Sequence, residues 1–332
     1  MTSRVAVHLV VRNAEPWLAT VLDALQAQTY SAVDVIVWDN SSDDATPDII
    51  ARYGRYKTVR NNENIGVWAA QERMLNNATA DYILALTDVV LDPSYVAWCV
   101  RALDADQRVG AVQGKLLQKS DPTRIDSLGF HLQPSRRVTI LGHGDLDDGR
   151  WSRTMPVFGV EGAAPMFRRL ALEDCRIDGH VVDPDFRVGP LGYGDDFDLA
   201  WRMTLLGWRQ IMEPNAIGWH DRATTTDVGH GVWDHVRRRT MRANIPILTR
   251  QLDWANVRFA IVKNDHILNI VRDMPVIAIR ELMVLGYCIL FEPRTLLGLV
   301  RFIRLMPVMV RRRRLAMERA RLNSNHMRQW IQ

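Results

Sequence analysis

Residues 5–40 read VAVHLVVRNAEPWLATVLDALQAQTYSAVDVIVWDN, and the order of patterns within them decides the fold. Val5 to Val11 is an apolar run of strand length, residues 15–28 carry helical periodicity, and DVIVWDN (34–40) is a second apolar strand. Strands without polar alternation are covered on both faces, and two of them joined through a helix pair in parallel. The alternation continues outward. Asp44 and Pro47 open a helix to about Tyr53, a short strand lies near Thr58–Arg60, and a helix spans Val67 to Asn77. YILALTD (82–88) is another apolar strand, Asp92 as cap and Pro93 in the first turn start the next helix, and VGAVQGKLL (109–117) closes the series. The expectation is an α/β fold: a Rossmann-like, largely parallel sheet flanked by helices.

Ligands of such sheets bind outside the carboxyl ends of the strands. After the first strand come Arg12, Asn13 and Glu15; after the second, Asp39, Asn40 and Ser41. The third is followed by Asn64-Ile65-Gly66 and the fourth by Thr87 and Asp88. Four polar loops in series along one sheet edge mark a binding site. No GxGxxG and no P-loop is present, so dinucleotide dehydrogenases and NTPases lack their phosphate cradle. A nucleotidyltransferase lacks its glycine-rich, lysine-bearing loop.

Residues 120–153 are rich in Gly and Asp and read as a long loop or hairpin over the sheet edge; residues 156–175 are a glycine-spaced segment entering a short helix. Then comes GYGDDFDLAWRMTLLGW (192–208), where Asp195, Asp196 and Asp198 crowd the start of an amphipathic helix. Helix capping and the macrodipole reward one or two carboxylates there by roughly 0.3–1 kcal/mol each, which leaves the third unexplained. Arg202, four residues after Asp198, is spaced to pair with it. Trp201, Trp208 and Trp219 suit core packing better than sugar stacking. Residues 208–221 are strand-like and end at His220.

With 332 residues, 47% of them hydrophobic, the chain can bury a sizeable core. The N-terminal apolar run is too short for a signal peptide's core, and Cys99, Cys175 and Cys288 share no metal-like spacing, so a reducing cytoplasm is expected. The net charge of +4 hides an asymmetry: residues 237–332 hold 19 Lys/Arg against 6 Asp/Glu, and the preceding residues 23 against 32. The basic tail lacks aromatic interleaving and is too apolar for nucleic acid, so no nucleic-acid partner is expected. Between Met274 and Arg314 its longest uncharged run is ten residues, Leu282 to Phe291, against about 20 needed to span a bilayer. Arg280, Arg294, Arg301 and Arg304 recur at roughly helical spacing ahead of Arg311 to Arg314. That pattern predicts helices lying on an anionic membrane surface with arginines at the headgroups; a helical bundle packed on the body is the competing reading.

The order of these motifs resembles the inverting family-2 glycosyltransferases of GT-A fold, particularly rhamnosyltransferase-like members. HLVVRNAEPWLATVLDALQAQTY is similar to the family's opening strand, loop and helix, VIVWDNSSDDAT to its V-V-D-N-x-S-x-D-x-T segment, and NNENIGVWAA to its N-x-N-x-G turn. GVEGAAPMFRRLAL resembles its acceptor-side segment, and GYGDDFDLAWRMTLLGWRQIMEPNAIGWH its G-E-D-x-D-L…R…G-W-R…P-x-A…H block. The likeness runs from about residue 4 to 222. It implies a GT-A domain over 1–235, with a nucleotide-sugar half to about 117 and an acceptor half over 118–235, followed by a basic amphipathic, membrane-associating helical region over 236–332.

The resemblance also implies roles. Asp39 would accept from the N3–H of a uracil or thymine, with Asn13, Glu15, Asn40, Asn64, Gly66 and Thr87 around the dTDP- or UDP-linked donor. Asp88 and His220 would hold the Mg²⁺ or Mn²⁺ that neutralises the diphosphate, and Asp196, supported by Asp195 and Asp198, would be the general base. The acceptor would be a glycan or lipid-linked saccharide of cell-envelope polysaccharide synthesis, its diphosphate near Arg237 to Arg242, at the inner face of the cell membrane. One departure stands out: LALTDVVLDP keeps only the final acidic residue of the family's D-D-D or N-P-D motif. It leaves a second reading, a degenerate glycosyltransferase fold serving as a membrane-associated scaffold.

Overall fold

The computed structural model describes residues 2–221, 242 and 245–332. The expected alternation is present as β1 (Val5–Val11), α1 (Leu18–Gln26), β2 (Val33–Asp39), α2 (Thr46–Ala51), β3 (Lys57–Arg60), α3 (Val67–Leu75) and β4 (Tyr82–Leu86). β1 pairs in parallel with β2, from Val5 opposite Val33 to Val11 opposite Asp39, and with β4 on its other side. Every residue of β1 and β4 is buried, as unbroken apolar runs require. His8, in the middle of β1, is a core residue: burial pulls its pKa down to about 4 and keeps the ring neutral.

Next come β5 (Val90–Leu91), α4 (Tyr95–Ala105) and β6 (Val109–Gln118). The start of α4 differs from expectation: it begins at Tyr95, and the Asp92 carboxylate accepts from the Ser94 N–H (2.9 Å) and hydroxyl (2.6 Å) in a local turn. Residues 120–153 contribute β7 (Ile125–Ser127), paired with β6, and the hairpin of β8 (Phe130–Leu132) and β9 (Val138–Ile140). β10 (Met155–Val157), β11 (Met166–Arg168) and α5 (Arg169–Asp174) follow. A small hairpin, β12 (Arg187–Val188) and β13 (Leu191–Gly192), leads into α6 (Asp195–Leu205) and β14 (Arg209–His220). The main sheet runs β10-β14-β6-β11-β4-β1-β2-β3, with β11 antiparallel to both neighbours.

Among the described residues β14 is followed by the α-helical segments α7 (Ile247–Asn264), α8 (Ile267–Phe291), α9 (Gly298–Glu318) and α10 (Ser324–Arg328). Their inner faces share a core with α6, in which Phe158, Phe197 and Trp201 pack with Ala255, Phe259, Met309, Met327 and Ile331. Trp201 is fully buried, with ring centroids 5.4 Å from Phe197 and 5.7 Å from Phe158. The outer faces are bare. On α8 the side turned to the body carries Asn269, Asp273 and the half-buried Arg280–Glu281 pair, while Leu282, Met283 and Leu290 are 68%, 70% and 74% exposed. Two of its acidic groups are matched: Arg136, which also bonds Asp265 (2.6 Å) just ahead of α8, bonds Asp273 (2.7 Å), and Arg258 of α7 bonds Glu281.

Part of the expected headgroup row is engaged by the protein, while Arg294, Arg304 and Arg314 stay exposed. Arg280 pairs with Glu281 (2.5 Å), and Arg301 donates to Asn256 Oδ1 (3.1 Å) and to the Asp185 carbonyl. Arg312 is buried against Asp178, Asp183 and Asp185, Arg313 donates to the Val262 carbonyl, and Arg311 meets Asp178. A spacing pattern gives the face of a helix but not which neighbour claims it.

Candidate active site

The loops after β1, β2 and β3 hold one another through side chains. Asn13, in left-handed backbone at φ 49°, donates its N–H to Ser42 Oγ (3.0 Å) and accepts from the Asp43 N–H (3.0 Å) at Oδ1. Glu15 repeats the arrangement with Asp44 (3.1 Å) and Ala45 (3.3 Å). Asn40 Nδ2 donates to Asn64 Oδ1 (2.8 Å), Asn40 Oδ1 accepts from the Ile65 N–H (3.0 Å), and Asn64 Oδ1 also accepts from the Gly66 N–H (3.0 Å). Gly66 caps α3 at φ 85°, and a Cβ there would lie 2.5 Å from the Pro190 carbonyl oxygen at the tip of the β12–β13 hairpin.

Asp39 is the group this network leaves open. It is buried, and its Oδ1 accepts from the Ser42 N–H (2.9 Å). Oδ2 has no hydrogen-bond partner among the described residues, with Arg60 Nε 3.5 Å away. A buried acceptor of this kind is costly unless a ligand brings the donor.

Thr87, just past β4, donates both its N–H and its hydroxyl to the Ala163 carbonyl (3.2 Å each). The preceding residue, Gly162, donates its N–H to Asp196 Oδ2 (3.1 Å). One short segment therefore ties the end of β4 to the start of α6. Asp88 Oδ1 lies 3.4 Å from His220 Nε2, and His220 Nδ1 lies 2.9 Å from Asp126 Oδ2 on β7. Burial pulls the His220 pKa down, but the hydrogen bonds and charges of Asp126 and Asp88 outweigh it and raise the pKa to about 9. Burial pushes Asp88 up, and His220 more than reverses this, holding the carboxyl below its usual range. Among the described residues no group of three metal-ligating side chains converges. Two side chains do, and a carboxylate beside an imidazole whose far nitrogen is held by a second carboxylate is a donor set that suits a divalent ion completed by phosphate and water.

The three aspartates take three different environments. Asp195 is buried, and neither carboxylate oxygen has a hydrogen-bond partner among the described residues. Burial, then the charge of Asp196, pushes its pKa up to about 8. Asp196 is half-buried, one oxygen on the Gly162 N–H and the other on the Phe197 N–H (2.8 Å). Asp198 is fully buried and accepts from Arg202 Nε (3.2 Å) and Nη2 (3.0 Å), Lys263 Nζ (2.8 Å) and Asn264 Nδ2 (2.7 Å). The picture of three like charges raising one another changes accordingly: near pH 7 Asp195 keeps its proton, and Arg202 and Lys263 balance Asp198. The Asp198–Arg202 pair follows from the spacing. Lys263, Asp126 and the Gly162 N–H do not, because each partner lies far off in the chain. Arg237 to Arg239 and the boundary at 235/236 lie outside the described residues; Arg242 bonds Glu292 at 2.8 and 3.2 Å.

Comparison with known proteins bears on the fold and the family. Among solved structures the chain is similar to GalNAc-T7 with UDP, GalNAc and Mn²⁺, at 13% identity and a TM-score of 0.54, covering 78% of this chain and 51% of that one. A mannosyltransferase, PcManGT from Pyrobaculum calidifontis in complex with GDP-Man and Mn²⁺, aligns at 18% identity over 96% of this chain and 88% of that one, with a TM-score of 0.48. EpsH of Bacillus subtilis (strain 168), a protein named as a glycosyltransferase, is 29% identical over 105 residues, and the match spans 30% of each chain. The sheet, its flanking helices and the C-terminal helical region together are a GT-A-like fold. The model of the family described as "Glycosyl transferase family 2" matches residues 6–172, half of the sequence, and the chain belongs to that family.

Proposed function

We propose that the protein transfers a sugar, rhamnose being the one the motifs favour, from a dTDP- or UDP-linked donor to a hydroxyl of a glycan or lipid-linked saccharide, with inversion. The observation that carries this reading is the Gly162–Ala163 segment, which fastens Asp196 to the end of β4 beside Asp88. In this reading Asp39 Oδ2 accepts from the base, and the Asn13–Glu15 and Asn40–Asn64–Gly66 networks hold the walls of the nucleotide pocket. Asp196 accepts the proton of the acceptor hydroxyl as that oxygen attacks the anomeric carbon from the side opposite the diphosphate. Asp195, protonated, lowers the negative charge around that step, and Asp198 positions α6 without touching substrate. Asp88 and His220 would hold Mg²⁺ or Mn²⁺, which supplies charge neutralisation to the leaving diphosphate. The GalNAc-T7 structure, with its UDP and Mn²⁺, supports that assignment by analogy of fold.

The bare outer face of α8, 25 residues with an 18-residue window of mean hydropathy 1.8 and 6% buried, supports a peripheral place at the inner face of the membrane, in cell-envelope polysaccharide synthesis. The charges on the body side of α8 favour a helix lying along the protein over one leaving it.

The test is transfer with a panel of nucleotide sugars and Mn²⁺, comparing the full chain with Asp196→Asn. Transfer should fall on the order of 10²–10⁴-fold while donor binding persists. A variant that keeps more than a tenth of the turnover removes Asp196 from the base role; a wild type that binds donors but transfers and hydrolyses none of them supports the scaffold reading.

A further inference from the structure

We propose that Asp126 is a positioning residue for a divalent cation: it fixes the His220 ring so that Nε2 faces Asp88. The inference rests on the reading of Asp88 and His220 as cation ligands. Asp126 is buried on β7, and its Oδ2 stands 2.9 Å from His220 Nδ1, 94 residues away in the chain. A carboxylate at Nδ1 holds a proton on that nitrogen, so a metal that displaces a proton from the charged ring takes Nε2, which lies 3.4 Å from Asp88 Oδ1. The carboxylate is itself held in place. Its strand pairs with β6 through Ser127 and Ile125, and the Asp126 carbonyl lies 2.8 Å from His143 Nδ1.

A purely structural role is poorly motivated. His220 is already fixed by strand pairing, opposite Gln118 of β6, and β7 is fixed to the same strand on its other side. Beyond the ladder, the Asp126–His220 bond adds a buried charge pairing, and it decides which nitrogen the ring offers.

The test uses the full chain and the variants Asp126→Ala and Asp126→Asn. Free Mn²⁺ is followed by electron paramagnetic resonance, alone and with UDP, dTDP or GDP, and each protein's melting is recorded without metal. Asp126→Ala should weaken Mn²⁺ binding 10–100-fold, read at a temperature where the variant stays folded, because losing the buried carboxylate that stabilises the charged His220 ring also lowers its melting temperature. Asp126→Asn, which still accepts from Nδ1 but carries no charge, should fall between. Nitrogen-15 shifts of His220 with Mg²⁺ should report the Nδ1–H tautomer in the wild type and its loss in Asp126→Ala, a signature that a structural role would not move. Wild-type Mn²⁺ binding with both variants within threefold of it overturns the proposal alone. Failure of the wild type to bind Mn²⁺ under every condition overturns it together with the cation reading.

Discussion

The carboxyl edge of the sheet and the outer face of the C-terminal helices are unfinished in opposite ways. At the sheet edge the apolar side chains are buried, and polar atoms are left over: Asp39 Oδ2 and both oxygens of Asp195 lack hydrogen-bond partners among the described residues. Along α8 the polar groups are matched from the body, and apolar side chains are left over, from Leu268 to Phe291. Each surface lacks the kind of atom its partner would bring. The first calls for a polar ligand with donors; the second calls for an apolar phase. An ordinary water-facing helix has the reverse pattern of α8, with its polar side outward.

The strongest way to break the comparison is to attack the matched interior. Lys263 bonds Asp183 (2.6 Å) and Asp198 (2.8 Å) with no exposure to solvent. Lys263→Met keeps the bulk but removes one cation from a buried cluster, leaving Asp183 to Arg312 and Asp198 to Arg202 and Asn264, which should cost about 3–5 kcal/mol in urea unfolding. A loss below about 1 kcal/mol would mean that these helices do not depend on their inward polar contacts.

The outer face comes next. Because Arg280, Arg301 and Arg312 are engaged by the protein while Arg294, Arg304 and Arg314 stay exposed, binding to liposomes should rest mainly on apolar contact, and the full chain should sediment with neutral phosphatidylcholine at high salt as well as low. Joint substitution of Leu282, Met283 and Leu290 by Ser should remove about 2 kcal/mol per inserted side chain and leave the protein in the supernatant. Binding that vanishes at high salt would restore the arginine-driven picture. Wild-type protein that never sediments would remove the membrane altogether.

The smallest effect sharpens the sheet edge. Burial and Asp196 raise the Asp195 pKa to about 8, far above an unfolded carboxyl. The stability this group contributes is complete below its unfolded pKa and is lost as pH rises through about 8, because the unfolded chain gives up the proton first. Asp195→Asn should therefore flatten the fall in melting temperature between pH 5 and 8 and melt a few degrees higher at pH 8. Equal slopes in the two proteins would show that Asp195 is solvated or paired.

The nucleotide half was legible because its strands are continuous apolar runs: Val5–Val11 and Tyr82–Leu86 announce themselves, and the polar residues after them are the ones that meet. The three-residue strands β7 and β11 are too short to carry a period, so the antiparallel insertion at Met166–Arg168 and the position of Asp126 left no local trace. Residues 195–198 showed a cluster but not its division of labour, which is set by Lys263 and Asn264, 65 and 66 positions beyond Asp198. In α8, Arg280 and Glu281 cut the apolar run in the linear text. In three dimensions both turn to the body, and the exposed residues from Met274 to Phe291 are all apolar.

The core shared by α6 and the last helices bears on modularity. Trp201 packs with Phe259, and Met309, Met327 and Ile331 close the same cluster. Removing everything after about Arg272 would therefore open the floor under α6 as well as strip the exposed apolar face of α8. Chimeras that graft one relative's tail onto another's head need crossover points that carry Asp183, Asp198 and Lys263 together, because Lys263 bonds both carboxylates across the two parts of this core.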